Sequence, residues 1–336
     1  MTKTRAARSI AAITVSLVLA GCASSPDGDS PEMAGATGDS GRTTYPLTIE
    51  NCDVQVTFEK APERVILLET APVTILDGIG VLDRVVSRAG TFSPEYYDDD
   101  INQQLDSIPM LSDEIDASGH LMINAEVVLA QTPDLALGLP DGLTREGLLD
   151  GGANTLIQPI YCPSGVGDTT FETLYDQIAV YGQIFDRNAE AEELITNLQQ
   201  RVTAVEELTA ESTDRTAAVL YPSVGGGPLY AYGRASMAQP QLEAAGFENV
   251  FADSADRVFE VSIEELLGRN PDALILLYQD DETGIVNEIT SLPGSDALQA
   301  IQNDDVLVQL FNFTEPPTPL SVTGLERIIE RFGSGS

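Results

Sequence analysis

The chain has 336 residues, with 53 Asp and Glu against 17 Lys and Arg, a formal net charge of −36 at pH 7. Such a surface disfavours nucleic acid and anionic lipid headgroups as partners. A single histidine leaves no converging set of the kind that holds bare Zn²⁺ or Mn²⁺.

The N-terminus does not read as part of a fold. Lys3, Arg5 and Arg8 form a positive region, and Ile10 to Ala20 is an apolar stretch too short to span a bilayer. Leu19-Ala20-Gly21-Cys22 resembles the lipobox of bacterial lipoproteins. That resemblance implies a removed segment, 1–21, and acyl chains on Cys22 that hold the protein at the cell membrane, facing outward. Residues 22–44 are Ser, Gly, Asp, Pro and Thr with little to bury, the composition of a disordered tether. With Cys22 lipidated, Cys52 and Cys162 remain as the other cysteines. They are a disulfide pair or two buried thiols that never meet, and an oxidising compartment favours the disulfide.

Elements follow from Tyr45 onward. Leu47 to Phe58 alternates around a turn at Asn51-Cys52-Asp53 and reads as a hairpin. Arg64 to Leu68 is an apolar strand, Leu76-x3-Gly80 a helix ending on a glycine, and Val85-Val86 a short strand. Gly90 to Gly119 is irregular, and Asp98-Asp99-Asp100 within it reads as solvated loop, lacking the spaced ligands of a calcium loop. A capped helix at Glu126, a strand at Leu135–Leu137 and a last strand at Ile157–Ile160 complete a first lobe, 45–168. Residues 169–209 carry two apolar stripes at helical spacing, of which the first is expected to join the lobes as a strut. The second lobe, 210–336, opens with the strand Ala217–Leu220 and a helix ending at Gly246. Its Gly225-Gly-Gly227 loop lacks phosphate-binding spacing.

One pattern occurs in both halves. Asn124-Ala-Glu126 and Ser262-Ile-Glu264 are each followed, after six residues, by Pro-Asp and an apolar strand. Asn124 and Ser262 suit a helix N-cap, which puts both glutamates in the first turn, where the helix dipole favours an anion. Pro133 and Pro271 then end each helix. The same element order in both halves points to two similar α/β lobes presenting two similar carboxylates.

These residues, with Ala61-Pro-Glu-Arg-Val65 and Ala245-Gly-Phe-Glu-Asn-Val-Phe251, give a chain that resembles the substrate-binding lipoproteins of ABC importers for ferric siderophores, haem and cobalamin. The resemblance covers about 45–332. It implies two lobes with mainly parallel sheets, joined by a rigid helix, with a ligand cleft between them. It implies a monomer without a resident cofactor, whose Glu126 and Glu264 dock on the two permease subunits of a transporter driven by an ATPase.

Ligands in such folds sit on loops at the carboxyl ends of the strands. Those loops hold Phe92, Tyr96, Tyr97, His120, Arg145, Tyr221, Tyr230, Tyr232, Arg234, Tyr278, Phe311 and Phe313. Half of them, Tyr221 and Phe311 included, are expected to pack on their own lobe. Flat rings with a few arginines suit a bulky metal chelate. The expected cargo is a ferric siderophore, with haem or cobalamin as the alternative; for haem, His120 with Tyr230 or Tyr232 would supply axial ligands. The rivals are an exported enzyme and a sensory lipoprotein. Against an enzyme, the chain has no Gly-x-Ser-x-Gly elbow and no Cys/His pair with a partner.

Overall fold

The computed structural model describes residues 41–115, 121–165, 167–210, 215–279 and 281–333. The predicted leader, Cys22, His120 and nearly all of the tether lie outside them. The described residues form one compact unit.

The first lobe opens with a hairpin, β1 (Leu47–Asn51) and β2 (Val54–Phe58). β3 (Val65–Leu67) runs into α1 (Val73–Gly78), and β4 (Val85–Arg88) follows. Gly80 ends α1 at φ +69. Next come α2 (Asp99–Ser107), α3 (Ala125–Leu129), β5 (Leu135–Leu137), α4 (Arg145–Asp150) and β6 (Asn154–Leu156).

Two expectations change here. The segment after Gly90 contains α2, because the Asp98 carboxylate accepts from the Ile101 N–H (2.9 Å) and Ile101 and Leu105 bury one face. Asp99 and Asp100 lie in its first turn, the end that favours negative charge, so the acidic run is a helix start. The last strand ends at Leu156. Pro159 lacks an N–H and has a fixed φ, and a 3-10 turn covers Pro159–Tyr161.

The middle segment forms α5 (Phe171–Phe185) and α6 (Asn188–Thr209), which pack on each other. Two helices, not one, run between the lobes. α5 starts beside the second lobe, where the Thr169 hydroxyl donates to the Ala235 carbonyl (2.8 Å). It ends where the Tyr45 hydroxyl donates to the Ile184 carbonyl (2.7 Å). α6 starts there and returns, and the Thr209 hydroxyl donates to the Ala244 carbonyl (2.9 Å). Residues 41–43, assigned to the tether, are held at this corner: the Thr43 N–H donates to Asp186 (2.7 Å) and Asn188 donates to the Gly41 carbonyl (3.2 Å).

The second lobe contains β7 (Arg215–Pro222), β8 (Leu229–Tyr232), α7 (Ala238–Ala244), β9 (Phe247–Asn249) and β10 (Val258–Val261). α8 (Ile263–Arg269), β11 (Ala273–Tyr278), α9 (Ile285–Thr290), α10 (Gln299–Gln302), β12 (Val306–Leu310) and α11 (Pro319–Phe332) complete it.

Strand order shows the internal repeat. The first sheet is β4-β3-β5-β6, all parallel. In the second, β9, β7, β11 and β12 pair in the same parallel order. The second sheet adds β8, antiparallel to β7, and β10, antiparallel to β8. β3, β5 and β11 are buried along their whole length, as parallel strands covered on both faces require.

Candidate functional site: a tyrosine-lined gap between the lobes

The two matched helices bear out the local reading of the repeat. Asn124 Oδ1 accepts from the Val127 N–H (3.0 Å), and Ser262 Oγ accepts from the Glu265 N–H (3.1 Å). Glu126 and Glu264 occupy the second helical position of α3 and α8, both exposed, and among the described residues neither carboxylate has a hydrogen-bond or ion-pair partner. The residue before each proline leaves the right-handed helical region, but for the left-handed one: Thr132 at φ 49 and Asn270 at φ 43. Asparagine tolerates that conformation; a β-branched threonine is strained in it.

The aspartates of the repeat also have matched work. Asp134 accepts from the N–H groups of Glu63 and Arg64 (both 2.9 Å), at the start of β3. Asp272 accepts from the N–H (2.8 Å) and hydroxyl (3.0 Å) of Thr216, at the start of β7. Each Pro-Asp thus fastens the strand that follows it to a parallel neighbour, β5 to β3 and β11 to β7.

At the other ends of these strands the lobes meet. The loops after β3, β4 and β6 face those after β12 and the β8–β10 pair. Tyr161, in the turn after β6, is the centre of one contact. The Arg257 guanidinium lies over its ring, 5.2 Å from the centroid, and binds Glu315 (3.3 Å). Burial raises the Tyr161 hydroxyl well above its usual pKa, the nearby Glu315, Glu69 and Tyr232 add to this, and Arg257 opposes it. The residue is nonetheless 38% exposed. Tyr161 therefore lies where the lobes meet and is open to solvent.

Two carboxyls flank this tyrosine. Glu315 is fully buried; it accepts from the Met237 N–H (2.7 Å), and burial pushes it up to about 7 against the opposing pull of Arg257 and that N–H. Glu69 follows β3. Burial raises it to about 7 as well, and the nearby Gln158 acts to lower it; the Gln177 amide donates to Gln158 Oε1. Tyr181 of α5 is the next ring along, its hydroxyl raised by burial and by Glu69. Gly138, at φ +98, makes room: a Cβ there would stand 3.1 Å from Glu69 Cγ and 3.2 Å from the Leu68 carbonyl carbon.

A second contact lies at Tyr96. Its hydroxyl accepts from the Asn312 N–H across the gap (3.0 Å), and its ring meets Phe313 edge-on at 5.4 Å. Tyr278 joins from the end of β11, its hydroxyl raised by burial and then by Glu95 of the first lobe. Arg327 lies over Phe313 at 4.6 Å.

The aromatic and arginine residues expected from the sequence divide accordingly. Tyr96, Tyr232, Tyr278 and Phe313 belong to the interlobe surface. Tyr97 packs on Tyr96 and donates to the Thr70 carbonyl (3.5 Å). Tyr230 is half-buried in β8, opposite Tyr221, while Tyr221 meets Phe311 edge-on within the second lobe (6.1 Å). Phe92 carries Arg88 over its ring (5.0 Å).

The two arginines are otherwise engaged. Arg145 donates to the Thr155 carbonyl (2.6 Å) and to Asn51 Oδ1 (2.5 Å), fastening α4 to β6 and the hairpin. Arg234 binds Asp168 (2.9 Å) and the Asp253 carbonyl (3.3 Å). Glu69, Tyr161, Tyr181, Arg257 and Glu315 escaped the sequence reading. Cys52 and Cys162 are joined as a disulfide, which ties the turn bearing Tyr161 to the hairpin.

Among the described residues no helix is long and apolar enough to cross a membrane. The sequence model of the family described as periplasmic binding protein matches residues 65–309. A vitamin B12-binding protein of Pectobacterium carotovorum subsp. carotovorum (strain PC1) is 29% identical over 164 residues, 49% of this chain and 57% of that protein. The chain thus spans a little over half the length of the curated relatives it matches. A crystal structure described as the ABC-type Fe3+-hydroxamate transport system of Saccharomonospora viridis DSM 43017 is 59% identical, covers 86% of this chain and all of its own, and superposes with a TM-score of 0.82. A periplasmic binding protein of Veillonella parvula DSM 2008 shares the fold at 23% identity, with a TM-score of 0.70 over 87% of this chain and 93% of that one.

Proposed function

Since the chain belongs to the periplasmic binding protein family, we propose that it is an extracytoplasmic receptor that captures a ferric siderophore between its lobes and delivers it to an ABC permease. The observation that carries this reading is the 59% identity, along its whole length, to a protein described as part of an Fe3+-hydroxamate transport system. An interlobe surface carrying Tyr96, Tyr161, Tyr232 and Tyr278 suits a bulky chelate, and no covalent step is involved. We assign Glu126 and Glu264, exposed at the same position of matched helices, to the permease contact. Cys22 would supply the lipid anchor. A joint of two packed helices, α5 and α6, fits a receptor whose docking points keep their spacing while cargo enters.

Cobalamin is the second reading, favoured by the 29% identity to a vitamin B12-binding protein. Haem stands behind it. Burial raises the Tyr232 hydroxyl, which works against the phenolate that an iron would take, and His120 lies outside the described residues.

The test is quenching of tyrosine fluorescence in parallel titrations with ferric hydroxamates, ferric catecholates, haem and cobalamin. A ferric hydroxamate should bind most tightly; cobalamin alone would transfer the assignment to the second reading. In cells, Glu126→Ala with Glu264→Ala should abolish uptake and leave ligand affinity within about twofold. Normal uptake by the double variant would refute the docking role.

A further inference from the structure

The charges around the cleft are unevenly matched. Arg257 is 3.3 Å from Glu315, and the two neutralise each other beside Tyr161. Glu69 has no such companion: among the described residues no arginine or lysine pairs with it, and the side chain that acts to lower its pKa is the neutral Gln158. Its close titratable neighbours are Tyr161 and Tyr181, both held as neutral phenols. Glu95 and Glu282 near Tyr278 add further negative charge at the second contact, with Arg327 opposing them. Gly138 keeps the space that the Glu69 side chain needs, so its position is built into the loop after β5.

We propose that Glu69 is a specificity-determining residue that receives a cationic group of the chelate, so that the site selects a ferric hydroxamate carrying a protonated amine and rejects trianionic ferric tris-catecholates. The inference rests on the receptor reading above and narrows its substrate class. A ferric trihydroxamate core is neutral, because three hydroxamates balance Fe³⁺; three catecholates leave three negative charges. A pendant ammonium would give the lone carboxylate the charge-assisted hydrogen bond it lacks. A trianion would instead meet like charge in a cleft from which water is partly excluded, the repulsive element that discrimination between partners requires.

The experiment uses the full chain at pH 8, above the Glu69 midpoint of about 7, so that the carboxylate is charged. The probes are ferrioxamine B, a trihydroxamate with a terminal ammonium, its neutral N-acetyl derivative, and a ferric tris-catecholate. The wild-type chain should bind ferrioxamine B at least roughly tenfold more tightly than the acetylated form, with the catecholate weaker still. Glu69→Gln should erase the preference between the first two, and Glu69→Asp should retain part of it.

Equal affinity of the wild-type chain for the charged and acetylated probes would overturn the proposal, a comparison that needs no variant. So would a preference that survives in a folded Glu69→Gln. Tighter binding of the catecholate would overturn it too. Failure to bind any chelate would instead remove the receptor reading beneath it.

Discussion

Asp134 and Asp272 show at residue scale why Pro-Asp recurs. Pro133 and Pro271 stop a helix, and the aspartate that follows satisfies backbone N–H groups at the start of the neighbouring strand. Replacing either by alanine leaves those donors without the carboxylate. Asp134→Ala and Asp272→Ala should each destabilise by roughly 1–3 kcal/mol in urea unfolding, because hydrogen bonds to a charged group are lost. The two losses should add to within about 0.5 kcal/mol, since the sites share no partner. The repeat was legible in the sequence because each copy is local: cap, glutamate, proline and aspartate lie within one short stretch. The cleft was less so. Glu69, Tyr161, Arg257 and Glu315 come together from four distant segments, and nothing in their own neighbourhoods marks them. Arg145 and Arg234 misled for the converse reason: their loops are of the right kind, but each guanidinium is bound by carbonyls or carboxylates of the protein itself.

Elements were legible wherever periodicity and punctuation agreed. The hairpin, the glycine-ended α1 and α7, the capped α3 and α8 and the parallel strands all announce themselves so. α2 did not, because an Asp-rich run looks like loop until the apolar Ile101 and Leu105, one turn apart, are read with it. The link between the hairpin and the 159–161 turn is covalent. Closing a loop of 110 residues contributes about 4–5 kcal/mol in the chain-entropy account. Cys52→Ser with Cys162→Ser should therefore lower the unfolding free energy by a few kcal/mol, about 2–5, measured against the untouched chain in urea. It should also weaken chelate binding, because the turn that loses its tie carries Tyr161. Unchanged affinity in a destabilised variant would confine the bond to stability.

Across the whole molecule, charge and burial act together. Both cleft carboxyls are raised, so between about 4.5 and 7 the folded form holds protons that the unfolded form has released. Stability should accordingly climb as pH falls from 8 toward 5 and be penalised above about 7. The expected rise in Tm is roughly 2–6 °C, read by thermal melting at constant ionic strength, and Glu315→Gln should flatten it. Asp253, lowered by Arg269, acts in the opposite sense, but only as pH falls through the acid range below this window. The bond between Cys52 and Cys162 has a mechanical consequence as well. β2 through β6 lie wholly inside the covalent ring, whereas the hairpin's first strand, α5, α6 and the second lobe lie outside it. A pull between the two chain ends would pass across the sulfur bridge and leave the backbone from 53 to 161 slack. Tension applied at the N-terminal end would reach the second lobe while bypassing most of the first.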